Sequence, residues 1–381
     1  MDKKYLLSLL ATGVLLVMAG CTGATTDTNG TEETGEIETI VIGGMGPLTG
    51  DAASYGVEFQ RLAEMGVADV NIAWADKGME LDIQWEDGAC NGKDASTAAQ
   101  KLIDVNGAEI IIGGFCSSET LAAAAITNPA GVVLLSPASS SPDVTDAGEY
   151  VWRNWPSDAF QGTKLAQLAT DMGYETIAIL SEVQDYTAGI ARVFTSAFEA
   201  NGGTIVEETY LSEDTDVKTQ LTKLKEVGVD GWLINPQTPV KADLILKQMN
   251  EMNIEGPFLL NDVAGVSVEI LADHGDYLEG SYTATVYIDT ESDDVLQVQN
   301  GYFELYGEEM NFLAYDVTAY DAVHILAEAI EAVGNDAAAV NEYLSTMSYS
   351  GLTGTMSFDE NGDPLTGHAI FKIEGGEIVV Q

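Results

Sequence analysis

From Thr39 onward, short runs rich in Ile and Val alternate with amphipathic stretches of 12 to 20 residues. The runs that read as strands are 39–44, 80–86, 108–112 and 131–135, then 175–181, 203–209, 230–234 and 257–260. Between them, helices are predicted at about 55–74, 94–105, 118–127, 157–172, 186–200, 215–226 and 237–252. The strands are apolar without a break rather than alternating. Such strands, each followed by a helix, predict parallel sheets covered on both faces. The rhythm restarts after Trp152–Pro156, so two successive doubly wound, Rossmann-like lobes are expected, joined by a hinge. After Thr285 longer helices follow, at about 293–307, 314–332 and 338–346. The tail returns to strands at 353–358, 367–373 and 377–381, with turns at Asn361-Gly362 and Gly375-Gly376. A chain ordered in this way crosses between its lobes more than once. Lobe 1 is expected to hold 39–154 plus about 285–350, and lobe 2 about 155–284 plus 351–381.

The first 38 residues follow another pattern. Lys3 and Lys4 precede an apolar stretch from Tyr5 to Met18, which ends in the small residues Ala19 and Gly20 before Cys21. The stretch is too short and too interrupted for a membrane span, and 1–20 reads as a secretory signal peptide. The Ala-Gly-Cys exit resembles a lipobox, which implies lipidation of Cys21 and anchoring to the outer face of the cytoplasmic membrane. Residues 22–38 contain six Thr, three Gly and five acids, with Ile37 the only large apolar side chain, and read as a flexible acidic tether.

Composition narrows the function. Of 381 residues, 61 are Asp or Glu and 15 are Lys or Arg, for a net charge of −46. Hydrophobic residues make up 46%, so the chain is not a disordered acidic one. Nucleic acid is excluded as a partner, because phosphate binding needs a basic footprint and only three arginines exist. Many acids fall on predicted outer faces and turns, among them Glu207, Glu208, Glu213, Asp214, Asp216, Glu291, Asp293, Asp294, Glu308 and Glu309. Such a surface suits salty surroundings, where screening weakens self-repulsion.

No catalytic or metal motif stands out. His274, His324 and His368 are widely spaced, and there is no nucleophile elbow, zinc motif or P-loop. The glycines at 44 and 46 resemble a dinucleotide turn only superficially, because Pro47 intrudes and the third glycine is missing. Residues 359–363 imitate a calcium loop but read better as a β-turn. A hydrolase using Ser117 lacks a visible base. The chain therefore reads as a non-enzyme with no cofactor, no catalytic residues and no metal ligands.

The remaining two cysteines carry more information. Cys90 and Cys116 both follow predicted parallel strands, in an exported chain, and a structural disulfide is expected rather than free thiols. The same strand ends are where open α/β sheets hold ligands. There, residues 113–120 read GGFCSSET and open a helix, whose N-terminus suits a carboxylate. Residues 136–142 (SPASSSP) offer four serines to a polar ligand, and Asn261-Asp262 an acid suited to an ammonium.

Together these segments resemble the branched-chain amino-acid (leucine/isoleucine/valine)-binding family of ABC-transporter substrate-binding proteins. The likeness spans 39–381 and is carried by Gly113–Ser118, the paired Cys90, Ser136–Pro142, Tyr315–Glu328 and the Phe358–Asp363 turn. It implies the type I periplasmic binding protein fold. It also implies that Ser117, the Ala138 or Ser139 backbone and the Ser140 side chain hold a ligand's α-carboxylate, with Tyr55 and Tyr186 closing over it. Asp262 falls where the family places an acid for the α-ammonium, and Phe115 where it places an apolar residue against the ligand's side chain. A pocket aromatic of some members falls near Gln237. The implied function is a monomeric binding protein for an amino acid, branched-chain or similarly apolar, serving an ABC permease. The alternative ligand class is amides, urea or another small polar solute.

Overall fold

The computed structural model describes residues 37–381. The expected signal peptide, Cys21 and nearly all of the tether lie outside the described residues. The chain opens with β1 (Glu38–Gly46), α1 (Ala53–Trp74), β2 (Met79–Asp87), α2 (Gly92–Asp104), β3 (Ile110–Ile112), α3 (Ser117–Ala130), β4 (Val133–Ser136) and β5 (Val151–Arg153). These five strands form one parallel sheet in the order β2-β1-β3-β4-β5. Successive residues of one strand serve opposite faces. Ile110 and Ile112 pack with Phe59 and Leu62 of α1, whereas Ile111 packs with Leu102 of α2 and Ala123 of α3. That two-sided burial explains the unbroken apolar runs.

After β5 the chain crosses to a second sheet. There α4 (Asp158–Asp171) leads to β6 (Thr176–Glu182), α5 (Asp185–Ala200), β7 (Thr204–Tyr210), α6 (Lys218–Val227), β8 (Gly231–Asn235), α7 (Pro239–Glu251) and β9 (Leu259–Leu260). Then come α8 (Asp262–Val266), α9 (Val268–Leu278) and β10 (Tyr282–Val286). The chain returns to lobe 1 with α10 (Asp293–Tyr306), α11 (Leu313–Val333) and α12 (Ala337–Leu344), followed by the hairpin β11 (Ser348–Gly351) and β12 (Gly354–Ser357). It finally adds β13 (His368–Glu374) and β14 (Glu377–Val380) to the second sheet, whose order is β14-β13-β10-β9-β8-β6-β7. Both late strands run antiparallel, β13 against β10 and β14 against β13. The architecture is α/β with two doubly wound lobes, as expected.

Three differences from the sequence reading have physical causes. The edge strand β5 spans only Val151–Arg153, too short to show a period. The helix α9 and strand β10 follow the Asn261 and Ser267 caps in a segment where polar residues interrupt both patterns. The tail also enters lobe 2 at β13 rather than at residue 351. The β11–β12 hairpin is held instead to lobe 1, where the Asp321 carboxylate of α11 accepts from the Leu352 and Thr353 N–H groups, each at 3.0 Å. Of the ten surface acids named above, Glu208 and Asp214 are half-buried and the others exposed. Among the described residues, no helix is long and apolar enough to cross a membrane.

Candidate functional site

The site lies at the carboxyl ends of the strands, between the lobes. On the lobe 1 side, β3 leads through Gly113 to Cys116, which caps α3. Gly113 adopts φ 126°, and a Cβ there would meet the Met45 carbonyl oxygen at 2.0 Å, so only glycine lets this loop press against β1. Cys116 is disulfide-bonded to Cys90, with their Cα atoms 5.3 Å apart, as the strand ends predicted. Glu119 joins the same two loops without a covalent bond. Its fully buried carboxylate accepts from the N–H groups of Cys90 at 2.9 Å, Phe115 at 3.0 Å and Cys116 at 2.9 Å. Burial nevertheless pushes that carboxyl up to about 7. The first N–H groups of α3, at Ser117 and Ser118, have no intrahelical acceptors.

The serine loop after β4 is knitted to this helix start. The Ser136 hydroxyl donates to the Gly114 carbonyl at 2.6 Å and accepts from the Ser139 N–H at 2.9 Å. The Ser117 hydroxyl accepts from the Ser141 N–H at 3.1 Å, which leaves its proton free for a ligand. Arg153, fully buried, holds the loop from behind. It donates to the Ser139 and Ser141 carbonyls at 3.2 and 2.9 Å and grips Asp363 in a fork at 2.6 and 2.8 Å. The Asp359–Asp363 turn thus serves as the counter-ion of the clamp. Ala138, Ser140 and Ser117 line the chamber. Ser139 does not: its N–H, the group nominated from sequence, donates to the Ser136 hydroxyl at 2.9 Å, and its own hydroxyl is engaged with the Gly114 and Phe115 carbonyls and with Thr120, at 3.1, 3.1 and 2.6 Å.

Lobe 2 presents acid. Asp262 opens α8 directly after β9, fully buried, and accepts from the hydroxyls of Tyr186 on α5 and Tyr315 on α11. Asp158 opens α4 and donates its backbone N–H to the Ser140 carbonyl at 2.8 Å. Its side chain is fully buried, and neither carboxyl oxygen has a hydrogen-bond partner. The Tyr55 hydroxyl is buried without a partner as well. Burial raises both carboxyls, and the charge of Asp262 lifts Asp158 further, so the pair resists double ionisation in the absence of a cation.

The cleft is closed. Arg192 of lobe 2 reaches Asp143 of lobe 1 at 2.7 Å, Lys241 lies 3.9 Å from Asp51, and Gln237 Nε2 sits 3.9 Å from Cys116 Sγ. The chamber between the lobes measures about 20 Å³ and is lined by Tyr55, Phe115, Ser117, Ser140, Tyr186 and Tyr315, among others. All the residues nominated for ligand binding except Ser139 therefore border this chamber or, in the case of Asp262, stand directly behind its tyrosines.

The profile of the periplasmic binding protein family matches residues 39–377. The chain belongs to that family. This binding protein is 30% identical over 330 residues to the leucine-, isoleucine-, valine-, threonine- and alanine-binding protein of Pseudomonas aeruginosa, covering 86% of this chain and 87% of that one. Among solved structures it is similar to a leucine-binding protein of Thermotoga maritima, at 27% identity and TM-score 0.78, covering 90% of this chain and 97% of the other. A Rhodopseudomonas palustris solute-binding protein in complex with 3,4-dihydroxybenzoic acid shares the fold at TM-score 0.78 and 23% identity, over 90% and 96% of the two chains. Members of the family are substrate-binding proteins of ABC transporters and not enzymes, which agrees with the sequence reading.

Besides Tyr315, which the likeness marked only as the start of a stretch, three residues of the binding protein's site escaped sequence reasoning. Asp158 follows Ser157 in what reads as an ordinary helix cap, and Ser157 does accept from the Ala159 N–H at 3.3 Å. Arg153 adjoins a lobe boundary and shows no periodicity. Glu119 is one acid among 61, and only its spacing three residues after the Cys116 cap hinted at a capping box.

Proposed function

We propose that this protein is an extracytoplasmic solute-binding lipoprotein that captures an amino acid between its lobes and delivers it to an ABC importer. One observation carries the reading: Ser117 and Ser140 line a chamber whose tyrosines Tyr186 and Tyr315 are backed by the buried Asp262 carboxyl, and the neighbouring Asp158 carboxyl is without a partner. A zwitterion satisfies both walls at once. Its carboxylate meets Ser117, Ser140 and the start of α3, and its ammonium meets Asp158 and Asp262. Neither lobe completes these contacts alone, so the ligand's greater affinity for the closed form draws the lobes together. The permease reads the closed form, and lipidated Cys21 holds the protein at the membrane.

Titration calorimetry with amino acids, amides and urea tests the reading. Saturable binding of at least one α-amino acid, lost in Asp262→Ala, is the expected result. Retained binding of an amide or urea in that variant, with no amino-acid binding in the wild type, replaces the reading with a receptor for neutral polar solutes.

A further inference from the structure

A second cavity, of about 570 Å³, lies beside the hinge and shares two elements with the chamber. Val263 near the start of α8 lines the chamber, and Val266 at its end lines the cavity. On α11, Leu313 and Ala314 line the cavity, and the next residue, Tyr315, lines the chamber. The cavity has three walls. Lobe 2 supplies Val266 and Leu271, the segment that crosses after β10 supplies Tyr287 and Ile288, and lobe 1 supplies Leu313 and Ala314. The Val268 N–H of lobe 2 meets the Asn311 carbonyl of lobe 1 at 3.5 Å, so the lobes touch along this cavity.

The lining sets the chemistry of an occupant. Cavities of about 300–1,000 Å³ take small organic molecules. Among the lining residues Glu377 alone carries charge, and it is exposed, so the interior holds no partner for an ion of either sign. A second copy of the chain brings another −46 of charge to the same face and is disfavoured as the occupant. Val268, Tyr287 and Val380 remain 51, 55 and 50% exposed, and covering such apolar area is favourable. The Thr285 side chain also lines the cavity, is 2% exposed, and its hydroxyl has no hydrogen-bond partner. An unpaired buried hydroxyl is costly, and one oxygen on an occupant satisfies it.

We propose that this cavity is a second binding site, for a small neutral molecule that is apolar apart from one carbonyl or hydroxyl oxygen, and that its occupant favours the closed lobes. The cavity in this shape belongs to the closed form. Opening the hinge moves its lobe 1 and lobe 2 walls relative to each other and breaks the fit. By linkage, the cleft ligand and the occupant then strengthen each other's binding. That coupling rests on the amino-acid reading above, whereas the site itself does not.

Nile red, a neutral dye with a ring carbonyl, tests the site through the fluorescence it gains in apolar surroundings. The wild type binds it saturably. Ala272→Trp, at an exposed position of α9 on the cavity wall, weakens that binding at least about 10-fold, as overpacking of a fitted space does. Alanine binding in the cleft is unchanged in this variant. Thr285→Val keeps the side-chain shape, adds no bulk and weakens the dye about 2–10-fold through the lost hydrogen bond. Saturating alanine tightens dye binding at least about 5-fold, the low end of coupling between sites. No saturable binding by the wild type, or equal binding by a folded Ala272→Trp, overturns the site. Equal binding by Thr285→Val overturns the part given to its hydroxyl. Dye affinity unmoved by alanine, in a protein that binds alanine, overturns the coupling. Dye binding lost in Ala272→Trp, with no amino acid bound by the wild type, supports the site and overturns the amino-acid reading with its coupling.

Discussion

The two walls of the cleft are built on opposite principles. The lobe 1 wall is complete before any ligand arrives. A disulfide, the Glu119 carboxylate, the Arg153 clamp and a net of serine hydroxyls fix its loops, and its donors point outward. The lobe 2 wall is unfinished, with two carboxyls crowded in a buried space and Asp158 left without a partner. Unmade hydrogen bonds of buried groups are costly. The contrast teaches that the carboxylate end of the site is preorganised, whereas the acidic end gains most from the ligand. Damage to the first wall should therefore appear as lost stability, and damage to the second as lost affinity.

The largest effect should come from Arg153→Met. It strands Asp363 and two loop carbonyls, and removing one partner of a buried ion pair costs about 3–5 kcal/mol. Urea denaturation checks this, and an unchanged midpoint would mean that the clamp is decorative. Reduction of Cys90–Cys116 releases a sequence separation of 26 residues. It should destabilise by about 3.5 kcal/mol in the chain-entropy account, measured by denaturation with and without reductant. Destabilisation close to zero would show that Glu119 alone holds the two loops.

Asp158→Asn should behave in the opposite way. Its folded carboxyl is raised above the unfolded value, so between the two values the unfolded chain ionises while the folded one keeps its proton, and stability falls as pH rises through that window. Removing the charge should raise the melting temperature at neutral pH. The same change removes a charged hydrogen bond to the ammonium, worth about 1.5–3 kcal/mol, and weakens amino-acid binding on the order of 10–100-fold. Only the ionised form pairs with an ammonium, so wild-type affinity should rise with pH through the range in which Asp158 ionises. Below that range, binding should release a proton, visible as a dependence of calorimetric enthalpy on buffer. A flat pH profile in the wild type would remove Asp158 from the site.

The smallest effect is expected at the rim. Arg192 and Asp143 are 55% and 53% exposed in their side chains, and such a pair contributes about 0–1 kcal/mol. Arg192→Gln should weaken binding slightly at low salt and not at all at molar salt, measured as the dissociation constant in each. An effect that persists in molar salt would mean that the pair is a structural latch rather than a screened contact.

The fold and the first wall were legible because they rest on local patterns. Unbroken Ile and Val runs announced covered parallel strands, and the GGFCSSET loop announced a helix start at a strand end. Ser117, Ala138, Ser140, Tyr55 and Tyr186 followed from the family likeness and meet at one chamber. The second wall was legible only at Tyr186 and Asp262. Burial selects the acids that matter, and sequence does not show burial: Glu58, Glu119, Asp158, Glu182, Asp262, Asp316 and Asp321 are buried, and apart from the capping-box spacing of Glu119 and the family position of Asp262 nothing in the sequence separates them from surface acids. Ser139 misled for a related reason, since a loop N–H can serve the loop or the ligand, and here it serves the loop, donating to the Ser136 hydroxyl. Arg153 and Asp363 are 210 residues apart in sequence, and the clamp exists only once β5 meets the tail turn.

The central claim is that both ends of a zwitterion are held, one by each wall. Calorimetry with alanine, alaninamide and propionate at one neutral pH tests it most directly, because each analogue deletes the charge that one wall recognises. The account predicts measurable binding of alanine and at least about 10-fold weaker binding of both analogues, as expected for losing a charged hydrogen bond. Alaninamide or propionate binding as tightly as alanine would contradict it and identify the wall that plays no part.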